Sequence, residues 1–420
     1  MPPQRCPSVD SEGTPYSLHS LPSGSVKLEN TVYRLLFHPT SLLLSSVTNK
    51  LSGKTWPLEM QFTAYPSAPF RSGAYLFSVD SSPSAEEGPV FGERDLTDTV
   101  ILSGPLFAQL SLVWSVAGEG GTSIFTTTVR LQHTTGPQGE AVAVHNRFDF
   151  GPPPNMRDKE LVMRLRSGLA SGRRFYTDKS GLGFLRREWK EEAGLEGNFY
   201  PITSATFLQA NSTRLSLLVS HAMAAASVSE GSLEVMLDRR TTYDDARGMG
   251  EGVLDSRETE HRAWLLLEPR DPASGLSSSA SLPSLSPLAT VLSRLQEHPV
   301  TVLHSLTAAT SVSLKSHLSL LSSPLPCDFH LLNLRSWDPR LQPSPQALLT
   351  LQRQAPDCGW ASLSLQQCTA PSQPPAVSLP LHRGAAFQPV SLTGNHLDER
   401  QADIFLLQPM ELAAYNVTFV

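Results

Sequence analysis

At 420 residues the chain is long enough for two or three domains and a sizeable buried core. A net charge of −6, from 33 Lys and Arg against 39 Asp and Glu, excludes the basic footprint of a nucleic-acid-binding protein. Charged residues make up 17%, below the roughly 25% of ordinary globular chains, while Pro numbers 34, a mix that suits many short strands joined by turns.

Residues 1–24, beginning MPPQRCPSVDSEG, are rich in Pro, Ser and Gly and are expected to be disordered. They hold no apolar stretch of the kind a signal peptide needs. No later segment reaches the ~18 consecutive apolar residues of a membrane span. From there the pattern is β throughout. TVYRLLF (31–37), SLLLSSV (41–47), LEMQFTAY (58–65) and GAYLFSV (73–79) are short apolar or alternating runs cut by Pro, Ser and Gly. FAQLSLVWSV, SIFTTTVRLQH and AVAVHNRFDF follow, separated by the turn signals AGEGGT and TTGPQGE. KELVMRL (159–165), RLSLLVSH, SLEVMLD and RAWLLLEP (262–269) carry the pattern on to residue 270. Strands at regular spacing without helical patterns between them predict antiparallel β-sandwiches.

The expected organisation is a large sandwich over 25–270, a Ser/Pro-rich linker with a short helix over 271–300, and a C-terminal β domain over 301–420. Ser286-Pro287 reads as a helix N-cap and first-turn pair, and Leu288, Val291, Leu292 and Leu295 supply the apolar stripe. Of the four cysteines, Cys6, Cys327, Cys358 and Cys368, none has zinc-finger spacing. Cys358 and Cys368 stand close enough to close a small disulfide loop in an oxidising compartment. Asn211 and Asn416 open N-x-S/T glycosylation triplets.

The chain has no G-x-S-x-G elbow, no P-loop and no H-E-x-x-H, and its one H-x-D, His396-Leu397-Asp398, has no second His near it. No metal site is expected. The densest charge lies in DRRTTYDDARGMGEG (238–252). Its glycines do not have dinucleotide-loop spacing. The adjacent pair Asp244 and Asp245 would face opposite sides of a strand, which does not suit a glycosidase carboxylate pair. Two readings stay open: a polar hairpin whose glycines allow positive φ, or a cluster in which carboxylates hold arginines rigid for hydrogen bonding to sugar hydroxyls.

DRR-x-x-x-DD-x-RG-x-G-x-G, preceded by GSLEVML, resembles the signature in the C-terminal β region of the class II α-mannosidases, glycoside hydrolase family 38, and most of all its Golgi α-mannosidase II and IIx branch. SGAYLF (72–77), NRFDF…RDKELVMRL (146–165), FYTDKSG (175–181), NFYPITSATFLQ (198–209), LPCDFHLLNLR (325–335) and QPMELAAYNV (408–417) are similar to family segments and occur in the family's order. The resemblance spans about residues 26–420.

The resemblance implies a mutarotase-like β-sandwich and a parent activity of retaining, zinc-dependent α-mannosidase acting on N-glycans in the Golgi lumen. The zinc ligands and nucleophile of that family lie in an α/β domain whose HxDPGW-type hallmark has no counterpart here, so the chain alone is expected to be inactive and to depend on such a domain as its partner. The site residues it implies are Tyr75 and either Arg240 or Arg247 as accessory contacts to the mannose. Asp238, Arg239, Asp244, Asp245, Gly248 and Gly250 would support them. Family DDNRGLGQG is here DDARGMGEG, so Ala246 loses an amide and Glu251 adds a charge. The alternative is a stand-alone, non-catalytic sandwich that binds carbohydrate or protein.

Overall fold

Strict alternation decides the first sheet contacts. In the strand Thr55–Pro66, Trp56, Leu58, Met60, Phe62 and Ala64 point into the core, while Glu59, Gln61 and Thr63 take the opposite face. A computed structural model describes residues 15–21, 24–82, 88–118, 121–153, 155–210, 212–255, 257–270, 283–303, 325–337, 346–360, 385–398 and 407–419. It divides into two compact units, one formed by the residues up to 270 with Val291–Glu297, the other by the rest.

The first unit is an antiparallel sandwich, as the strand spacing predicts. A ten-stranded sheet has Gly121–Gln132, Val142–Asp149, Thr259–Pro269 and Thr213–Val219 as successive central strands. A nine-stranded sheet runs through Met223–Ala226, Ser232–Arg240, Lys159–Ser167, Thr55–Pro66 and Leu44–Asn49 in that order. Their inner faces meet in one apolar cluster. Phe62 of the second sheet sits edge-on to Phe125 of the first at 4.6 Å, and Phe125 stacks on Phe148 at 4.4 Å. Each such buried aromatic contributes about 1.5–3 kcal/mol of transfer free energy.

Two sequence expectations change. Ser17–His19 lies in the stretch expected to be disordered, yet pairs in register with Ser103–Ile101 at the sheet edge. GAYLFSV is no strand: apart from a bridge between Val79 and Ser67, residues 71–80 form an irregular loop. Its backbone groups are taken by side chains of another segment, as described below, and so are not free for a ladder.

The second unit has a four-stranded sheet, Phe329–Ser336, Gln346–Arg353, Leu412–Phe419 and Ala385–Val390 in order. Phe329, Leu349, Leu351, Leu407 and Tyr415 form its core. Arg353 is wholly buried there, donating from Nε to Asp328 at 2.9 Å and from Nη1 to the Leu407 carbonyl at 2.8 Å. The expected helix is present over Pro287–Glu297, with the Ala289 N–H donating to Ser286 Oγ at 3.0 Å as the N-cap reading requires. Leu288 and Leu292 are its buried stripe.

Candidate functional site

Strand phase determines where each member of the DRR segment points. Ser232–Arg240 pairs with Lys159–Ser167, but a bulge intervenes: Met236 opposes Val162 and Asp238 opposes Leu161, leaving Leu237 unmatched. The extra residue turns Asp238 and Arg240 to the inner face and Arg239 to the outer one.

On the inner side, Asp238 accepts from Thr259 Oγ1 at 2.6 Å and from the Arg239 N–H at 2.7 Å. Burial pushes its carboxyl up, against those hydrogen bonds. Arg240 is 1% exposed. Its Nη1 donates to the carbonyls of Gly151 and Asn155 at 2.8 and 3.0 Å, and its Nη2 to that of Asp255 at 2.8 Å. Burial lowers the guanidinium's pKa, opposed by Asp255, Asp238 and Asp149. Arg240 therefore closes the end of the sandwich and does not reach the surface. Sequence spacing gave no means of separating it from Arg247, because the bulge that sets the phase leaves no mark in residue type.

On the outer side, Arg239 Nη2 donates to Glu160 Oε1 at 2.7 Å, to the Leu76 carbonyl at 2.9 Å and to Ser72 Oγ at 3.0 Å. Glu160 is 2% exposed and also accepts from Ser67 and Ser72. A charge inside the apolar run KELVMRL was the sequence signal for this residue, and it was missed.

After Arg240 the chain forms a loop closed by the Thr241–Val253 bridge. Thr242 is held by Asp158, which accepts from its N–H at 2.8 Å and its Oγ1 at 2.7 Å. Gly252 is obligatory, since a Cβ there would stand 2.2 Å from the Thr241 carbonyl oxygen. Gly248 and Gly250 take φ of 104° and 74°, which their lack of Cβ permits.

Asp245 joins this loop to the one carrying Tyr75. Its Oδ2 accepts from the N–H groups of Tyr75 at 2.7 Å and Leu76 at 2.9 Å, and its Oδ1 from that of Arg247 at 3.2 Å. Desolvation raises its pKa, but these donors and the Arg247 charge together outweigh it and leave the carboxyl below its ordinary range. The approach is possible because residue 73 is glycine: a Cβ there would lie 2.6 Å from Asp245 N. Asp244 accepts from the Ala246 N–H at 3.2 Å. The idea that the aspartates hold arginines by salt bridges is thus corrected. Asp245 holds backbone, and the carboxylate that holds an arginine is Glu160. One carboxylate thus ties both loops through their main chain, and the side chains of Tyr75 and Arg247 are each exposed.

Other candidates fall elsewhere. Cys358 is a free, half-buried thiol, so the expected Cys358–Cys368 bridge does not form. Residues 361–384, Cys368 included, lie outside the described residues, as does Asn211. Asn416 is 7% exposed on a strand flanked by partners on both sides, so the folded chain does not present it for glycosylation. Among the described residues no three His, Cys, Asp or Glu side chains converge as a zinc site requires. No helix of the described residues is long and apolar enough to cross a membrane.

The fold is an antiparallel two-sheet sandwich with two loops joined through Asp245, and comparison with known proteins assigns the family. The model of "Glycosyl hydrolases family 38 C-terminal domain" matches residues 28–247, just over half of the chain, including Tyr75 and Arg247. The chain belongs to glycosyl hydrolase family 38. It is 32% identical over 374 residues to alpha-mannosidase 2 of Spodoptera frugiperda, covering 82% of this chain and 32% of that protein. The human alpha-mannosidase 2 is 31% identical, with 80% and 28% covered, and mouse alpha-mannosidase 2x 30% identical, with 93% and 33% covered. The chain thus spans about a third of the length of these relatives. An alpha-mannosidase from Enterococcus faecalis V583 shares the fold at a TM-score of 0.61 with 12% identity, over 95% of this chain and 43% of that one.

Proposed function

We propose that this β portion supplies accessory contacts to an α-mannosyl residue of an N-glycan, as part of an α-mannosidase-type glycosidase of the secretory pathway. The observation that supports it is the Asp245 carboxylate, which accepts the backbone N–H groups of both Tyr75 and Arg247 and so brings their two loops together. The phenol offers a donor and acceptor to sugar hydroxyls, and its ring an apolar platform. The exposed guanidinium adds planar donors. Phe70, Leu76 and Met249 on the same two segments are exposed as well, apolar area suited to a covering protein surface. Nucleophile, acid and any zinc come, in this reading, from the portion of the relatives that these 420 residues do not span. Purified chain should bind a simple α-mannoside weakly through Tyr75 and Arg247 and should not hydrolyse an aryl α-mannoside. Turnover by the chain would contradict an accessory role.

A further inference from the structure

The seam between the two sheets contains a histidine that hydrogen bonding leaves unexplained. His261 faces inward from Thr259–Pro269, opposite Asn146, and is 7% exposed. Neither of its ring nitrogens has a hydrogen-bond partner. Phe148 lies edge-on to the ring at 5.6 Å. The neighbouring strand Thr213–Val219 runs on past its end, with the Ser220 N–H bonded to the Arg262 carbonyl at 3.0 Å, and this sets His221 beside His261 with ring centroids 4.7 Å apart. Two residues before His261, Thr259 makes the 2.6 Å bond to Asp238 that ties this sheet to the DRR segment of the other.

We propose that the His221–His261 pair is an acid-sensitive latch on this seam: while both rings are neutral it stays packed, and charging them loosens the Thr259–Asp238 tie at the start of the loop that carries Arg247. A protonated His261 would hold a cation against Phe148 and His221 with no acceptor at either nitrogen. The groups around it decide the direction. Burial is the largest influence and lowers its pKa from 6.5 to about 4; His221 and His145 push the same way, and only Glu260 opposes. Glu260 is itself engaged by His145 and Arg262, and Asp238 is engaged by Thr259. His221 is depressed too, again by burial.

The sign follows. Between pH 6.5 and 4 the unfolded or opened chain binds a proton that the packed form does not, so the latch is closed above about 6.5 and weakens as pH falls. From pH 7 to pH 5 the closed form should lose roughly 20-fold relative to the opened form. The latch stands without the sugar reading; only its effect on a mannosyl surface rests on it.

The test is denaturant stability at pH 7 and pH 5 for the chain and for His261→Phe, with the His261 ring followed by NMR. The wild type should lose roughly 20-fold more in folded-to-unfolded ratio than His261→Phe. Should His261→Phe not fold, His221→Asn removes the neighbouring charge and should raise the His261 titration midpoint. Parallel losses in wild type and His261→Phe, or a His261 ring titrating near 6.5, would overturn the latch. A working latch in a chain that binds no mannoside would leave this inference standing and defeat the proposed function alone.

Discussion

The carboxylate of Asp245 accepts the backbone N–H of Tyr75 at 2.7 Å, across 170 positions of sequence. This bond joins two separate surface loops. Its oxygen acts on main chain and leaves the phenol free, so the contact sets where the ring stands without consuming its hydroxyl.

Asp245→Ala should therefore lower affinity for an α-mannoside by about tenfold or more while leaving far-UV circular dichroism unchanged, because orientation is lost but no ligand group is removed. Asp245→Asn should do nearly as much, since its amide has one acceptor oxygen for N–H groups that now meet two. Titration by ligand-observed NMR measures both.

Gly73→Ala places a methyl 2.6 Å from Asp245 N and 2.7 Å from its Cβ and Cγ, the carboxylate that holds the two loops together. The loop must move. Binding should fall to the level of Asp245→Ala, and limited proteolysis should cut within residues 70–77 sooner than in the wild type. Gly248→Ala meets no atom within 4 Å and should cost only the strain of its positive φ, about 1–2 kcal/mol.

Glu160→Gln removes the buried charge that faces the partly exposed Arg239. Arg239 is 25% exposed and keeps its bond to the Leu76 carbonyl, so the loss is that of one charge-assisted hydrogen bond, about 1.5–3 kcal/mol, and the urea midpoint should drop accordingly. The double variant Glu160→Gln with Arg239→Met should recover part of that loss in stability, yet not the binding, because Leu76 has lost its donor.

Ala246 adopts φ of 56°, a left-handed conformation unfavourable for alanine. Ala246→Asn should stabilise the chain by about 0.5–1 kcal/mol, read from denaturant melts, with sugar affinity unchanged. The asparagine of the related DDNRGLGQG segment suits this backbone in a way that alanine does not.

The sandwich was legible because alternation is a local property: LEMQFTAY announces its inner face residue by residue. The helix was legible for the same reason, through Ser286-Pro287 and a leucine stripe. What escaped depends on distant partners. GAYLFSV has the composition of a strand, and only Arg239 and Asp245, far along the chain, make it a loop. Arg239, Arg240 and Arg247 are chemically alike in sequence; a one-residue bulge and a turn place one on the outer face, one in the interior and one in solvent. The cysteines show the same limit, since proximity in sequence favoured Cys358, which is a free thiol.

The central claim is that Tyr75 and Arg247 form one sugar-contacting face of an accessory domain. Saturation-transfer NMR with methyl α-mannoside tests it most directly, comparing the chain with Tyr75→Ala, Arg247→Ala and, as a control with an exposed arginine on the edge strand Phe184–Glu188, Arg186→Ala. Binding on the order of millimolar in the wild type and in Arg186→Ala, lost in both Tyr75→Ala and Arg247→Ala, is the predicted result. Equal transfer in all four proteins, or none in the wild type, would contradict it.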